Sequence, residues 1–121
     1  MWYSLLRLKK TADDAVSAKV VVDDGSPWFF GHFPDDPILP GIAQLNMVAE
    51  VVGLSRQEKL CIRRLSRVKF KKIVRPGELL EIHASAADTT NIYTFRITSK
   101  DQDVCSGTMS LATKTAETKA T

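Results

Sequence analysis

The chain is predicted to be an α+β domain in which an antiparallel sheet wraps around a single helix. Three observations carry that prediction. Strand-like apolar periodicity occupies both ends of the chain, one central stretch alone is apolar in the manner of a buried helix, and a segment rich in proline and glycine joins the first strands to that helix. The order is therefore two strands, a long loop, one helix and four strands, which a sheet wrapped around the helix satisfies.

The first strand is expected over residues 2–9 and the second over 15–23, which ends in the β-branched run Val20-Val21-Val22. Thr11-Ala12-Asp13-Asp14 is the turn between them. Asp24-Gly25-Ser26-Pro27 breaks the pattern, and residues 28–40 hold Gly31, Pro34, Pro37 and Pro40 among large apolar side chains. Such a segment is neither a central strand nor a helix, and a rigid, packed loop is what remains. Residues 41–54, Gly-Ile-Ala-Gln-Leu-Asn-Met-Val-Ala-Glu-Val-Val-Gly-Leu, are apolar on nearly every face, so this helix is expected to be enclosed by the rest of the fold. Its polar exceptions are Gln44, Asn46 and Glu50, the last two four apart and on one face. Strict alternation in Arg67-Val68-Lys69-Phe70-Lys71 predicts the third strand, and Arg75-Pro76-Gly77-Glu78 a turn. Residues 79–87, 92–99 and 104–112 complete the sheet, joined by hairpin connections at 88–91 and 100–103.

With 121 residues, 44% of them apolar and 26% charged, the chain has the composition of one soluble globular domain. The domain is expected over residues 1–113, followed by a disordered tail over 114–121 that is made of Lys, Thr, Ala and Glu. No apolar run reaches a membrane span, and the N-terminal charges follow the apolar stretch where a signal peptide would have them precede it, so a cytoplasmic location is expected. Cys61 and Cys105 lie in strand patterns without metal spacing and are read as reduced core thiols. No metal or cofactor site is expected, and neither a phosphate loop nor a nucleophile elbow is present. Net charge is only +3, yet Arg63, Arg64, Arg67, Lys69, Lys71, Lys72 and Arg75 form a stripe with no acidic residue among them. The stripe is either a solvated strand face or a surface for an acidic partner. Nucleic acid is not the expected partner, since aromatic residues are few and no stacking platform accompanies the charge.

His32 is the strongest candidate for chemistry. Prolines and glycines stiffen its backbone, apolar neighbours exclude water, and a helix N-terminus with free N–H groups follows at Gly41. His83, in the strand Leu80-Glu81-Ile82-His83-Ala84, reads as an ordinary sheet residue.

Gly31-His32-Phe33-Pro34-Asp35-Asp36-Pro37-Ile38-Leu39-Pro40-Gly41 resembles the signature of the β-hydroxyacyl-acyl-carrier-protein dehydratases, the FabZ/FabA type and their relatives in aryl-polyene synthesis. Val68-Lys69-Phe70-Lys71-Lys72-Ile73-Val74-Arg75-Pro76-Gly77-Glu78 and Val104-Cys105-Ser106-Gly107-Thr108-Met109 extend the resemblance, which covers residues 28–112. It implies a hotdog fold, dimerised into one continuous sheet, with sites at the dimer interface. It further implies that His32 acts as the base, that the Gly41 N–H holds the thioester carbonyl, and that Phe33 and Pro40 line the substrate site beside an apolar acyl tunnel. Arg67, Lys69 and Lys71 would dock acyl carrier protein.

At the acid position the chain departs from the family. The family acid stands fourteen residues after the histidine, on the central helix of the other subunit, and here that residue is Asn46. An amide hydrogen-bonds a hydroxyl but does not deliver a proton, a loss that costs on the order of 10²–10⁴ in rate. Glu50 stands one turn further on, where the family usually has glutamine, and is either a displaced acid or a structural residue. Three functions remain open: a 3-hydroxyacyl thioester dehydratase, a thioesterase in which Asn46, Gln44 or Glu50 orients water, and an acyl-binding subunit that lends His32 to an acid-bearing homologue. The expected partners are an acyl-carrier-protein or coenzyme A thioester and a second chain, as a homodimer, a larger oligomer or a heterodimer.

Overall fold

The computed structural model describes residues 2–29, 37–86 and 91–114. Strands β1 (Tyr3–Ala12) and β2 (Ala15–Val22) form a hairpin, a 3-10 turn spans Pro27–Phe29, and helix α1 covers Gly41–Arg56. Strands β3 (Leu60–Phe70), β4 (Leu79–Ala86), β5 (Ile92–Ser99) and β6 (Gln102–Thr113) follow. All six strands join one antiparallel sheet in the order β1-β2-β4-β5-β6-β3, with α1 packed across it. This is the hotdog arrangement. Residues 30–36 of the loop expected over 28–40, residues 88–90 of the hairpin expected over 88–91 and residues 115–121 of the tail expected over 114–121 lie outside the described residues, as does residue 87.

Period-two burial explains the centre of the sheet. In β2 the residues Val16, Ala18, Val20 and Val22 point inward, as do Leu80, Ile82 and Ala84 in β4 and Tyr93, Phe95 and Ile97 in β5. Met47, Val48, Val51 and Val52 of α1 cover these side chains and close the core. His83 sits on the opposite, exposed face of β4, paired with Ser17 and Arg96, as a sheet residue.

Strand β3 begins seven residues before the alternating segment that marks it in the sequence. Its register against β6 shifts between Ile62 and Arg64 and again between Ser66 and Lys69, one extra β3 residue each time. The residues of this strand on the helix side of the sheet are therefore Ile62, Leu65, Val68 and Phe70, a spacing that hides period two, and of these Leu65 and Phe70 stay exposed. At the second bulge Arg67 adopts φ 55°, and Val68 fills the space left by Gly107, where a Cβ would stand 3.0 Å from Val68. Lys69 keeps the outer face with Arg64 and Ser66, so the strict alternation read from Arg67 onward holds only beyond the bulge.

Helix α1 runs two residues past its expected end. Gln57 takes the left-handed conformation (φ 59°), its N–H donates to the Leu54 carbonyl at 3.3 Å, and the Glu58 N–H donates to the Gly53 carbonyl at 2.9 Å. Arg56 then secures the helix end, 2.7 Å from Glu58, 2.9 Å from Asn91 Oδ1 and 3.3 Å from the Tyr93 hydroxyl. The helix is not enclosed as its composition predicts. Ile42 is 54% exposed and Leu54 38%, and with Asn46 and Glu50 they form one open stripe.

Candidate functional site

His32 and Phe33 lie outside the described residues, so the site is built here from the helix that follows them. Pro37–Pro40 leads extended into α1, and the Leu39 N–H donates to the Val74 carbonyl at 2.8 Å. Pro40 is the N-cap, with φ −62° and ψ 152° and no side-chain hydrogen bond to the first turn. The Gly41 and Ile42 N–H groups have no acceptor within the helix, so this end presents donors and a partial positive charge. Gly41 has a packing reason to be glycine as well. A Cβ there would stand 2.6 Å from the Phe70 ring, so the β3 aromatic lies directly over the helix start.

Beside this N-terminus is a cavity of about 420 Å³ lined by Leu39, Gly41, Gln44, Phe70, Lys72 and Ile73. Gln44 is 3% exposed; its Nε2 donates to the Leu39 carbonyl at 3.4 Å, and its Oε1 has no hydrogen-bond partner among the described residues.

Asn46 and Glu50 share the opposite, outer face of α1, as their four-residue spacing requires. Both line a second cavity of about 440 Å³ between that face and the start of β3, together with Gly53, Glu58, Cys61 and Lys114. Glu50 is committed to a partner that sequence reasoning missed: the buried Tyr3 hydroxyl of β1 donates to its Oε1. Burial, reinforced by the Glu50 hydrogen bond and charge, pushes the Tyr3 phenol far above its ordinary value, so it remains a donor. A buried tyrosine needs a partner for its hydroxyl, which is the only signal the sequence offers, and 47 residues separate the two. Gln44, two residues from Asn46, faces the sheet, so the structure does not bring these two amides together.

Arg67, Lys69 and Lys71 are all exposed. Lys71 is 3.4 Å from Asp103, which Arg96 also approaches at 2.7 Å. Arg96 first, then Lys71, hold the Asp103 carboxyl below the usual carboxylate range. Part of the Lys71 charge is thus answered within the chain. Cys105 is buried and its thiol is pushed up to about 11 by that burial, whereas Cys61 is half-buried on the wall of the second cavity. Among the described residues there is no group of three His, Cys, Asp or Glu side chains able to hold a metal, and no helix long and apolar enough to cross a membrane.

The model of the ApeI-like family, described as ApeI dehydratase, matches residues 8–108. The chain is 30% identical over 83 residues to the 3-hydroxyacyl-[acyl-carrier-protein] dehydratase FabZ of Rickettsia bellii, a match covering 61% of this chain and 57% of that one. It is 37% identical over 71 residues to FabZ of Caldanaerobacter subterraneus, covering 53% and 50%. The chain thus spans about half the length of the curated relatives it matches. Among solved structures, the dehydratase heterocomplex ApeI:P from Xenorhabdus doucetiae superposes with a TM-score of 0.82 at 26% identity, covering 93% of this chain and 99% of that one. A hypothetical thioesterase from Streptococcus pneumoniae, solved with coenzyme A, has a TM-score of 0.64 at 14% identity, covering 93% and 88%, a likeness of fold alone. The family match takes in β2, α1 and the whole of β3 to β5, with every lining residue of both cavities except Lys114, and the chain belongs to the ApeI-like dehydratase family.

Proposed function

We propose that this chain is a dehydratase-type subunit acting on acyl thioesters, supplying the base and the carbonyl-binding donor but not the acid. In this reading His32 removes the α-proton of a 3-hydroxyacyl thioester, and the Gly41 N–H, at the uncapped start of α1, stabilises negative charge on the thioester oxygen. Expulsion of the β-hydroxyl then needs a proton that Asn46 does not provide. The observation that carries the reading is the state of Glu50: its Oε1 already accepts from Tyr3, so the carboxyl one helical turn from Asn46 is serving as an acceptor. A second chain that brings a carboxylic acid to the His32 site completes the reaction. That need fits a heterodimer, and the resemblance to the ApeI:P heterocomplex supports it.

The open edge strand β3 and the exposed stripe Ile42, Asn46, Glu50 and Leu54 form the surface expected to meet the second chain. Arg67, Lys69 and Lys71 are then the surface for an acidic carrier, acyl carrier protein in preference to a free coenzyme A thioester.

The test is an assay of 3-hydroxyacyl and enoyl thioesters that follows both double-bond formation and thiol release. The chain alone is expected to be nearly inactive, and activity is expected to appear on adding an acid-bearing homologue. His32→Ala then lowers it by on the order of 10²–10⁴, and Asn46→Asp gives the chain dehydratase activity of its own. Full activity of the unmodified chain alone, lost in Glu50→Gln, would assign the acid to Glu50 instead. Free thiol without enoyl product would assign hydrolysis.

A further inference from the structure

Gln44 is the most deeply buried polar side chain of α1, and only half of its amide is used. The donor half holds the Leu39 carbonyl; the acceptor half, Oε1, is without a partner among the described residues. An unbonded buried carbonyl oxygen is costly, because water solvated it before folding and nothing replaces that water afterwards. A leucine or methionine would fill the same volume without this cost. The residue also forms part of the wall of the cavity at the helix N-terminus, where Gly41 and Ile42 present N–H donors. That cavity therefore has Gly41 in one wall, Gln44 with its buried Oε1 in another, apolar sides from Leu39, Phe70 and Ile73, and the stems of Lys71 and Lys72, whose ammonium groups turn to Asp103 and Gln102.

We propose that Gln44 is a specificity-determining residue whose Oε1 accepts a hydrogen bond from an N–H or O–H donor of an acyl thioester seated in this cavity. The inference rests on the acyl-thioester reading above and deepens it. Such a ligand offers a carbonyl oxygen for the helix N–H groups and a donor a few bonds away, either the 3-hydroxyl of the acyl part or an amide N–H of the pantetheine arm. Both have the same chemistry towards an amide oxygen. A site with a buried acceptor rejects ligands lacking the matching donor, because the acceptor is then left unpaired in the complex as well. The hydrogen bond from Nε2 to Leu39 fixes the side chain, so the acceptor is held in place before the ligand arrives.

The experiment measures equilibrium affinities by calorimetry in a His32→Ala background, which stops turnover, with and without Gln44→Met. The three ligands are the 3-hydroxybutyryl and butyryl thioesters of N-acetylcysteamine and the methyl thioester of butyrate, which carry hydroxyl and amide, amide alone, and neither. With Gln44 present, a ligand bearing the donor is expected to bind about tenfold tighter than its counterpart without it. Gln44→Met is expected to reduce that ratio to within about twofold. A ratio that falls between the first pair identifies the hydroxyl as the donor, and one that falls between the second pair identifies the amide. Equal affinities for all three ligands with Gln44 intact overturn the proposal, whether or not the methionine variant folds. It is equally overturned if Gln44→Met weakens all three by the same factor, the mark of a structural residue. Failure of every thioester to bind overturns the acyl-thioester reading itself, and Gln44's role with it.

Discussion

The two faces of α1 are built from similar residues and meet opposite fates. On the inner face Met47, Val48, Val51 and Val52 are at most 1% exposed, packed into the core between helix and sheet. On the outer face Ile42 and Leu54 are open, and the polar residues between them border a cavity. A helix apolar all round is normally wrapped on every side. Here one chain wraps the helix only from the sheet side, so the apolar outer residues are surplus to the fold of a single chain. The difference teaches where a second chain is to be sought, on the side that one core does not explain.

The comparison predicts its own largest effect on the inner face. Met47→Ala removes a fully buried side chain and should cost about 2–5 kcal/mol, read as a fall in the denaturant midpoint at unchanged slope. A cost below about 0.5 kcal/mol would mean that the inner face is not the core. Next comes the link between the faces. Tyr3→Phe strips Glu50 of its donor without opening a cavity and should destabilise by about 0.5–1.5 kcal/mol. The partner change Glu50→Gln leaves Tyr3 an acceptor and should cost less, with dehydratase activity of a complete heterodimer changed by less than about threefold.

The two thiols sharpen the contrast between core and outer rim. Cys105 lies beneath the helix start and Cys61 on the wall of the outer cavity, so a thiol reagent at pH 8 should label one cysteine per native chain. The sign of the pH effect follows from burial. Cys105 holds its proton up to about 11 when folded and ionises near 9 when unfolded, so this contribution to stability is intact below pH 9. It is lost as pH rises through 11. A Cys105→Ala variant should show a flatter alkaline decline; an identical decline would show that the thiol plays no part in it. The smallest effect is expected where the two faces end together. Gln57 holds a left-handed conformation that glycine adopts freely, so Gln57→Gly should stabilise by a few tenths to about 1 kcal/mol, visible as a modest rise in melting temperature.

Most of the architecture was legible in the sequence because period two survives in a strand that carries no bulge of its own. Residues 92–99 carry it unbroken, and that strand has the bounds expected. Strand β3 was legible only in part. Its two bulges space the helix-side residues Ile62, Leu65 and Val68 three apart, a pattern closer to helix than to strand. The site divides in the same way. Asn46 and Glu50 were placed on one face by helix geometry alone, since four residues are just over one turn. The Tyr3–Glu50 bond and the orphan oxygen of Gln44 depend on which strands lie beside the helix, and no local pattern encodes that. His32, the residue most exposed to view in the sequence, lies outside the described residues, and its role stands on the motif around it.

The strand order has a consequence in time. Strand β3 is made directly after the helix, yet its only neighbour in the sheet is β6, which is made last. While β4 and β5 are being synthesised, β3 has nothing in its own chain to pair with, and its backbone donors and acceptors remain satisfied by water alone. Closure of the β3–β6 ladder bridges about 40 intervening residues, fewer than the β2–β4 ladder, but during synthesis it has to wait for β6. Strand β3, the edge proposed to meet a second chain, is thus made early but joined to its own sheet only after β6 exists, so pairing through it waits on the fold of its own subunit.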